Sequence, residues 1–387
     1  MNTHILSKEV QDFILSYSED ISKLAFSGSP FNDVSTTELI QQVESRRKTE
    51  KKLPKWHNAR NIYYPPKLNL EQTSSEITAK YKASIIQGES LADLTGGFGV
   101  DCLYFSDKFK TVHHFEHNES LSEIAKYNFK VLDYSKIECF KGDGLKQIFK
   151  KHYDVIYLDP SRRHNNKGKV FFLNDCEPNV PENLNFLLKH CQLLLIKTSP
   201  MLDISVGLNE LQNVKEIHIV AVNNEVKELL WIIELGFRNL PKIKTTNFNK
   251  TETEAFNFKW SKKSSTSYSL PKKYLYEPNG AVMKSGAFEL LSEEYKVSKL
   301  HKHTHLYTSN QLVTFPGRSF IINKTISYHK KELKKLSIDK ANITTRNFTE
   351  TVAQLRKKLK IKDGGNEYLF FITSVSGDKV ILVCSKV

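Results

Sequence analysis

Short apolar runs alternate with helical stretches over the middle of the chain, between residues 72 and 236. Helical patterns lie between the first five of seven such runs. This alternation is typical of parallel strands joined by helices, so it predicts a doubly wound α/β sheet covered on both faces. The last two runs flank a turn-like Asn223-Asn224, which predicts an antiparallel pair. The seven predicted strands are SLADLT, VHHFE, KIECF, DVIYLD, LLLIKT, EIHIVAV and ELLWIIEL.

The N-terminal region, residues 1–71, has helical spacing instead. Leu39 and Val43 fall on one face of a predicted helix, and Thr36 or Thr37 is expected to cap its start. This region therefore predicts a helical segment ahead of the sheet.

The C-terminal third mixes both patterns. Residues 245–270 are polar and predict a linker or a hairpin. Further on, FTETVAQLRKKLK predicts a helix with Thr349 as its cap, and YLFFITSV and KVILVCSKV predict strands around a Gly-containing turn. Together these elements predict a small α+β domain.

Charge is distributed unevenly between these parts. Residues 1–240 contain 30 Lys and Arg against 31 Asp and Glu, whereas residues 241–387 contain 27 against 12. The whole excess of positive charge therefore lies in the last third, which suggests a polyanion-binding appendage on a near-neutral body. A solubilising surface remains the alternative.

Other classes find little support in the sequence. The start of the chain has no targeting segment, and no run approaches the roughly 20 apolar residues of a membrane helix. Five cysteines, an odd number without a CxxC pair, argue against disulfides and zinc and predict a cytoplasmic protein. The histidines of HKHTH at 301–305 are not accompanied by further ligand spacing, so no metal is expected.

The sharpest motif is DLTGGFG at 93–99, between the first strand and a helix. Gly97 and Gly99 allow a tight turn and let a ligand approach the backbone closely. A dinucleotide site would have a third glycine where Cys102 stands, and Asp93 would repel a pyrophosphate. A cofactor with positive sulfonium and ammonium groups, as in S-adenosylmethionine (SAM), suits Asp93 better.

Acids end the next three strands as well. Glu116 ends the second strand and can accept both ribose hydroxyls of a nucleoside. Asp143 and Gly144 follow the third, where Asp143 can accept from an adenine amino group. Asp159 ends the fourth. Since parallel strands end at one edge of a sheet, these acids are expected to meet there.

These motifs resemble those of class I SAM-dependent methyltransferases over about residues 72–240. DLTGGFG resembles their motif I, GDG at 142–144 their adenine-side motif, and LDPSRR their motif IV. The resemblance implies a Rossmann-like seven-stranded doubly wound sheet and SAM as cofactor. The implied cofactor-binding residues are Asp93, Thr95, Gly97, Gly99, Glu116, Asp143 and Gly144.

A narrower resemblance lies at both flanks. KLNLEQTSSEITAKYKA and VAQLRKKLKIKDGGNEYLFF are similar to a bacterial methyltransferase family with C-terminal ferredoxin-like and THUMP-like domains. It implies a helical region at 1–71, a methyltransferase domain at 72–240, a ferredoxin-like domain at 271–318 and a THUMP-like domain at 319–387. THUMP domains are associated with structured RNA, so RNA is the implied partner.

Motif IV carries the predicted chemistry. Amino-directed methyltransferases commonly have (D/N/S)PP(Y/F/W) here, in which the first residue orients the target amine. This chain keeps Asp-Pro and loses the second proline and the aromatic residue. The predicted catalytic residues are Asp159, Pro160 and Ser161.

Three cations near this edge are predicted to bind substrate. Arg162 and Arg163 suit a phosphate or a base face, and Lys197 ends the fifth strand beside them. A solvated loop and a surface lysine are the alternatives for these residues.

The sequence therefore predicts a SAM-dependent methyltransferase acting on a base nitrogen of RNA, either tRNA or rRNA. A non-catalytic RNA-binding protein on the same scaffold is the alternative, motivated by the altered motif IV. A nicotinamide-dependent oxidoreductase is disfavoured by Asp93 and Cys102. DNA as the acceptor is not excluded, and a small molecule is disfavoured by the basic C-terminal part.

Overall fold

The structure is a computed structural model that describes every residue except 163–171, 263 and 334–337. Helices dominate the N-terminal region, as the spacing predicts. The described α-helices are α1 Lys8–Ser16, α2 Ile21–Ser27, α3 Thr36–Lys52, α4 Pro54–Asn58, α5 Lys67–Gln72, α6 Glu76–Ser84, α7 Val100–Ser106, α8 Glu119–Val131, α9 Gly144–Gln147, α10 Val180–Leu188, α11 Ile204–Glu210, α12 Gly280–Ser285, α13 Phe288–Tyr295, α14 Lys330–Leu333 and α15 Val352–Leu359.

Strands begin after the sixth helix. All seven predicted strands are present, as β1–β4 and β7–β9. The described strands are β1 Ser90–Asp93, β2 Thr111–Glu116, β3 Ile137–Lys141, β4 Tyr153–Leu158, β5 Ser161–Arg162, β6 Cys176–Glu177, β7 Cys191–Thr198, β8 Val214–Val222, β9 Glu225–Glu234, β10 Lys242–Phe248, β11 Thr253–Lys259, β12 Tyr274–Pro278, β13 Ser298–Lys299, β14 Tyr307–Ser309, β15 Gly317–Ser327, β16 Lys340–Arg346, β17 Lys362–Thr373 and β18 Lys379–Lys386.

The larger sheet has nine strands within the described part of the chain, in the order β11-β10-β8-β9-β7-β4-β1-β2-β3. β1 pairs in parallel with both β2 and β4, and β2–β3 and β4–β7 are parallel as well. The doubly wound α/β prediction is therefore confirmed. Of the two readings for 245–270, the hairpin is correct: β10 and β11 pair antiparallel, and β10 extends the sheet beside β8.

The central parallel strands β4 and β7 are buried on both faces over most of their length. Leu194, Leu195 and Ile196 of β7 are fully buried, as are Ile156 and Leu158 of β4. A strand covered on both faces has to be apolar at successive positions, which explains the continuous apolar runs in the sequence.

Two helix caps differ from their predictions. Ser35, and not Thr36 or Thr37, caps α3, because its hydroxyl accepts from Glu38 N (3.3 Å) while the Glu38 carboxylate accepts from Ser35 N (3.1 Å). This reciprocal capping box satisfies two N–H groups at once.

Thr349 was likewise the wrong cap for α15. Thr351 caps this helix, and Gln354 completes the reciprocal box. The Thr349 hydroxyl instead accepts from Lys379 Nζ at 2.9 Å. In both helices the residue three positions after the cap decides where the helix begins.

Contacts divide the chain into two units. The first comprises Met1–Lys215 and Leu230–Arg238, and the second comprises Glu216–Leu229 and Asn239–Val387. The second unit contains a seven-stranded sheet over the described residues, in the order β13-β14-β12-β15-β18-β17-β16. Its strands β17 and β18 are the antiparallel pair that the sequence predicts around Gly377.

Aromatic residues of the C-terminal third mostly belong to its core. Phe256 and Tyr276 are buried in one cluster, and Phe258 and Tyr274 pack against it. Tyr268 stays 42% exposed. These aromatic side chains therefore serve mainly to pack the interior of the second unit.

No helix in the described residues combines the length and the apolar character needed to cross a membrane.

Candidate active site

The loop after β1 adopts the strained backbone that its glycines allow. Gly97 and Gly99 have φ of +55° and +84°, in the left-handed region. A Cβ on Gly97 would have only Thr95 O within 4 Å, at 3.8 Å, so this glycine borders open space. A Cβ on Gly99 would collide with the Phe129 ring at 2.3 Å. Gly97 is thus the point at which a ligand can approach the backbone, and Gly99 permits close packing.

His114 lies directly beneath this loop and was not singled out in the sequence. A Cβ on Gly96 would meet its ring at 2.3 Å, and its Nε2 lies 3.1 Å from Gly97 O. His114 is fully buried, and this burial lowers the pKa of its imidazole. The neutral ring supports the loop from below. Gly96 was the available signal, because the absence of a side chain there leaves room for a bulky neighbour such as the His114 ring.

Asp93 ends β1 with its carboxylate buried. Oδ1 accepts from Thr95 N at 3.0 Å and from the Thr95 hydroxyl at 3.3 Å, and Oδ2 accepts from the Cys102 thiol at 3.2 Å. Burial raises the pKa of Asp93 to about 7, only partly opposed by the Thr95 N–H. The Asp93 side chain therefore fixes the loop from behind. Because its pKa is about 7, the carboxyl group is only partly ionised at neutral pH.

Glu116, at the end of β2, is bonded to the glycine loop. Its Oε2 accepts from Gly97 N at 2.8 Å, and its Oε1 accepts from Asn118 N at 2.7 Å. An ionised carboxylate has about four acceptor positions, so each oxygen can take a further hydroxyl. Because Glu116 is half-buried, that remaining capacity is within reach of a ligand.

The turn after β3 lies next to Glu116. Gly142 N donates to Glu116 O at 2.9 Å, and Gly144 packs so closely on Leu94 and Phe115 that a Cβ would lie 3.1 Å from each. The Asp143 side chain is 37% exposed, and Oδ1 caps α9 by accepting from Leu145 N at 3.0 Å. The ends of β1, β2 and β3 thus meet at one edge, as their order in the sequence predicts.

Asp159, after β4, connects to the same loop. Its backbone N–H donates to the Thr95 hydroxyl at 2.7 Å, and that hydroxyl in turn donates to Asp93. The Asp159 side chain is 33% exposed and its Oδ2 accepts from Lys197 Nζ in a close ion pair. Thr95 therefore fixes motif IV relative to motif I.

Lys197 extends from β7 towards this carboxylate and is only 13% exposed. Its ammonium faces Asp159, so the structure gives it a partner within the protein. A contact with substrate phosphate stays a prediction for this residue.

The rest of motif IV is described in part. Pro160 is buried and Ser161 is exposed, at the start of β5. β5 pairs with β6, with Arg162 opposite Cys176 along the backbone. Arg163, one of the predicted substrate-binding residues, lies outside the described residues.

A buried charge cluster supports the site from behind. Lys82 Nζ lies 3.3 Å from Asp101 Oδ1, and the hydroxyls of Ser74 and Tyr157 each donate to Asp101 Oδ2 at 2.9 Å. Burial alone would raise the pKa of Asp101, but Lys82 and then Lys197 outweigh it and hold that pKa below its usual value. Sequence reasoning missed this cluster, because nothing in the pattern distinguishes Lys82 from the exposed Lys80.

The arrangement can hold a nucleoside-containing cofactor between the glycine loop and the acids. Carboxylates face the edge at Glu116, Asp143 and Asp159, so a positively charged cofactor is favoured over an anionic one. Among the described residues no group of three or more His, Cys, Asp or Glu side chains could hold a metal ion.

Two family models match the C-terminal part of the chain. A ferredoxin-like domain matches residues 274–316, and a THUMP domain-like model matches residues 317–386. No curated protein matches the sequence.

Solved structures match more of it. A "putative methyltransferase" from Porphyromonas gingivalis W83 is 32% identical, covers 98% of both chains and gives a TM-score of 0.88. An rRNA methylase from Streptococcus thermophilus is 16% identical over 41% of this chain and 93% of its own, with a TM-score of 0.30. TrmK from M. capricolum, solved with S-adenosyl-homocysteine, is 13% identical over 42% and 70%, with a TM-score of 0.33.

Proposed function

This chain belongs to the bacterial family of class I SAM-dependent methyltransferases with C-terminal ferredoxin-like and THUMP-like domains, and from that premise we propose that it methylates a base nitrogen of RNA. The observation that carries the proposal is the contact of Gly97 N with Glu116 Oε2 at 2.8 Å. It joins the loop that a cofactor approaches to the acid that would hold its ribose.

The residues at the sheet edge fit SAM. Gly97 borders open space, where the amino-acid part of a cofactor can lie against the backbone. Glu116 keeps acceptor capacity for ribose hydroxyls, and Asp143 is exposed enough to accept from an adenine amino group. Bound SAM would supply a methyl group on a positive sulfur, which is a good leaving group.

Asp159 is the group that we assign to the acceptor. Lys197 occupies its Oδ2, whereas Oδ1 has no hydrogen-bond partner within the described part of the chain. Oδ1 can accept a hydrogen bond from a substrate amine. This hydrogen bond would orient the amine so that the lone pair of its nitrogen points at the methyl carbon. Thr95 holds the Asp159 backbone, so the carboxylate is positioned relative to the cofactor loop before the substrate arrives.

RNA as the acceptor is supported by charge and domain composition. The excess of basic residues lies in the last third, which contains the THUMP-like match. Cations neutralise phosphates on release of counterions, so such a region favours polyanions whatever their sequence.

The test compares modified nucleosides in tRNA and rRNA from cells with and without the gene, by mass spectrometry. The proposal expects one N-methylated nucleoside to disappear on deletion and to return with the wild-type gene but not with Asp159→Ala, which has no oxygen to accept from the amine. If the nucleoside profiles of tRNA and of rRNA were each the same in cells with and without the gene, the proposal would be contradicted.

A second candidate is a non-catalytic RNA-binding protein that keeps the methyltransferase scaffold. It is favoured by one observation: Ser161 and Arg162 stand where amino-directed enzymes have proline and an aromatic residue. This candidate predicts that deletion of the gene changes no methylated nucleoside, while the purified protein still binds both SAM and RNA.

A further inference from the structure

The second unit contains an open groove of about 750 Å³ that has no place in the chemistry described above. It runs between the β8–β9 turn, the β10–β11 turn, the N-terminus of α12 and the segment before β15. We call it the asparagine groove, and the residues proposed below to contact a ligand include Asn223, Asn249, Lys250, Leu312 and Lys386.

Its base is a preformed polar network. Glu254 Oε2 accepts from Asn247 Nδ2 at 2.9 Å and from Asn279 Nδ2 at 2.7 Å. Asn224 N donates to Asn247 Oδ1 at 2.9 Å, and Asn224 Oδ1 accepts from Gly280 N at 2.6 Å. Because these groups satisfy one another, the floor of the groove is fixed before any ligand binds.

The walls, in contrast, carry unused hydrogen-bonding groups. Asn249 accepts from Asn247 through Oδ1, which leaves its amide NH₂ without a partner among the described residues. The side chains of Asn223 and Thr314 likewise have no hydrogen bond there, and both are exposed. An amide offers both donors and an acceptor, so it can pair with the edge of a nucleobase.

Charge and apolar surface complete the groove. Lys250 and Lys386 are exposed and form no ion pair within the described residues. Leu312 is 50% exposed, a large apolar surface that a base face can cover. Glu252 and Glu254 also line the groove, so its charge is mixed and a bare phosphate is a poor fit. Bases, riboses and spaced phosphates together match amides, an apolar face and separated lysines.

We propose that the asparagine groove binds a short single-stranded segment of the substrate RNA, with bases on the asparagines and Leu312 and phosphates on Lys250 and Lys386. The inference rests on RNA being the acceptor. The volume of the groove, about 750 Å³, lies within the roughly 300–1,000 Å³ of pockets that hold small ligands, so the groove can accommodate a few nucleotides rather than a duplex.

The test measures the affinity of the full chain for fluorescein-labelled single-stranded RNA of mixed sequence by anisotropy. Asn223→Asp with Asn249→Asp keeps side-chain size, removes two amide donors and adds two negative charges. The matched control is Asn257→Asp with Asn366→Asp, two exposed asparagines of the same unit outside the groove. The groove pair should weaken binding at least about tenfold, and the control pair less than about threefold.

A second pair separates phosphate contacts from general attraction. Lys250→Gln with Lys386→Gln should weaken binding more than Lys324→Gln with Lys331→Gln, which changes net charge equally at exposed lysines elsewhere. Equal effects of the groove and control pairs, with SAM affinity and melting temperature unchanged, would overturn the groove alone. Absence of RNA binding by the wild-type chain would overturn the proposed acceptor as well.

Discussion

The assignment of the cofactor site depends most strongly on Gly97, which has no side chain. Its φ of +55° disfavours any other residue, and its Cβ direction opens into free space. We predict that Gly97→Ala weakens SAM binding at least about tenfold, because the methyl group occupies the approach path and the backbone is strained. Isothermal titration calorimetry measures it.

Gly236 is the matched control for that substitution. It also has positive φ, +82°, and a Cβ there would meet nothing within 4 Å. Gly236→Ala should therefore cost about 1 kcal/mol of stability and leave SAM affinity within about twofold. If both variants bound SAM as the wild type does, the loop would not be the cofactor loop.

Asp93 predicts an unusual pH dependence of stability. Burial raises its pKa from 3.8 to about 7, so the folded protein holds a proton that the unfolded chain releases near pH 4. Folding stability should then fall as pH rises from about 4 to about 7 and stay level above that. Asp93→Asn should remove this fall.

Urea denaturation of wild type and Asp93→Asn across pH 4–8 checks it. At pH 8 the variant should be more stable by up to about 4 kcal/mol, and the difference should vanish near pH 4. A pH-independent difference between the two proteins would show that Asp93 does not titrate in this range.

Helices α6 and α7 are joined by a buried ion pair. Lys82 is fully buried against Asp101, whereas Lys80 on the same helix pairs with Glu76 and stays 60% exposed. Lys82→Met should cost about 3–5 kcal/mol, because the buried Asp101 carboxylate loses its ion-pair partner. Lys80→Met should cost less than about 1 kcal/mol. Thermal melts of the two variants distinguish a structural pair from an incidental one.

The strands were predictable because burial on both faces leaves a continuous apolar signature. β4 and β7 could be recognised for this reason, and the resemblance over motif I fixed their relation to the glycine loop. The hairpin of β10 and β11 was ambiguous, because its exposed face is polar: Lys242 and Lys259, which face each other, are both exposed. Polar edge strands resemble linkers in sequence.

The acids of the site were predictable in position and not in partner. Glu116 and Asp143 follow from the strand order, since parallel strands share an edge. The pairing of Asp159 with Lys197 depends on side-chain direction between two strands, which no spacing encodes. Lys82 and His114 depend in the same way on the packing of distant elements. The roles of Glu116, Asp143 and Asp159 in binding and catalysis remain predictions.

The basic residues of the two parts of the chain differ in number and in how they are bonded. The N-terminal basic run at residues 46–55 has the charge of a second candidate RNA contact, but its cations are largely bonded within the protein. Arg47 donates to Tyr17 O and Glu19 O, Lys48 pairs with Glu71, Lys52 donates to Leu70 O and Glu71 O, and Lys55 donates to Tyr134. The domain boundaries at 71, 240 and 318 remain predictions.

That distribution predicts where salt acts. RNA affinity should fall steeply with salt concentration, and substitution of exposed C-terminal lysines by glutamine should reduce the slope of log K against log salt by about one per lost phosphate contact. Lys51→Gln in the N-terminal run should leave the slope unchanged. A slope that responds only to the N-terminal run would move the RNA surface to the first unit.

The most direct test is transfer of labelled methyl groups from SAM to total RNA of a strain that lacks the gene. Wild-type protein should transfer label to RNA, and Asp159→Ala should bind SAM with wild-type affinity yet transfer at least about a hundredfold more slowly. RNA left unlabelled by a wild-type protein that binds SAM and RNA would contradict catalysis on RNA.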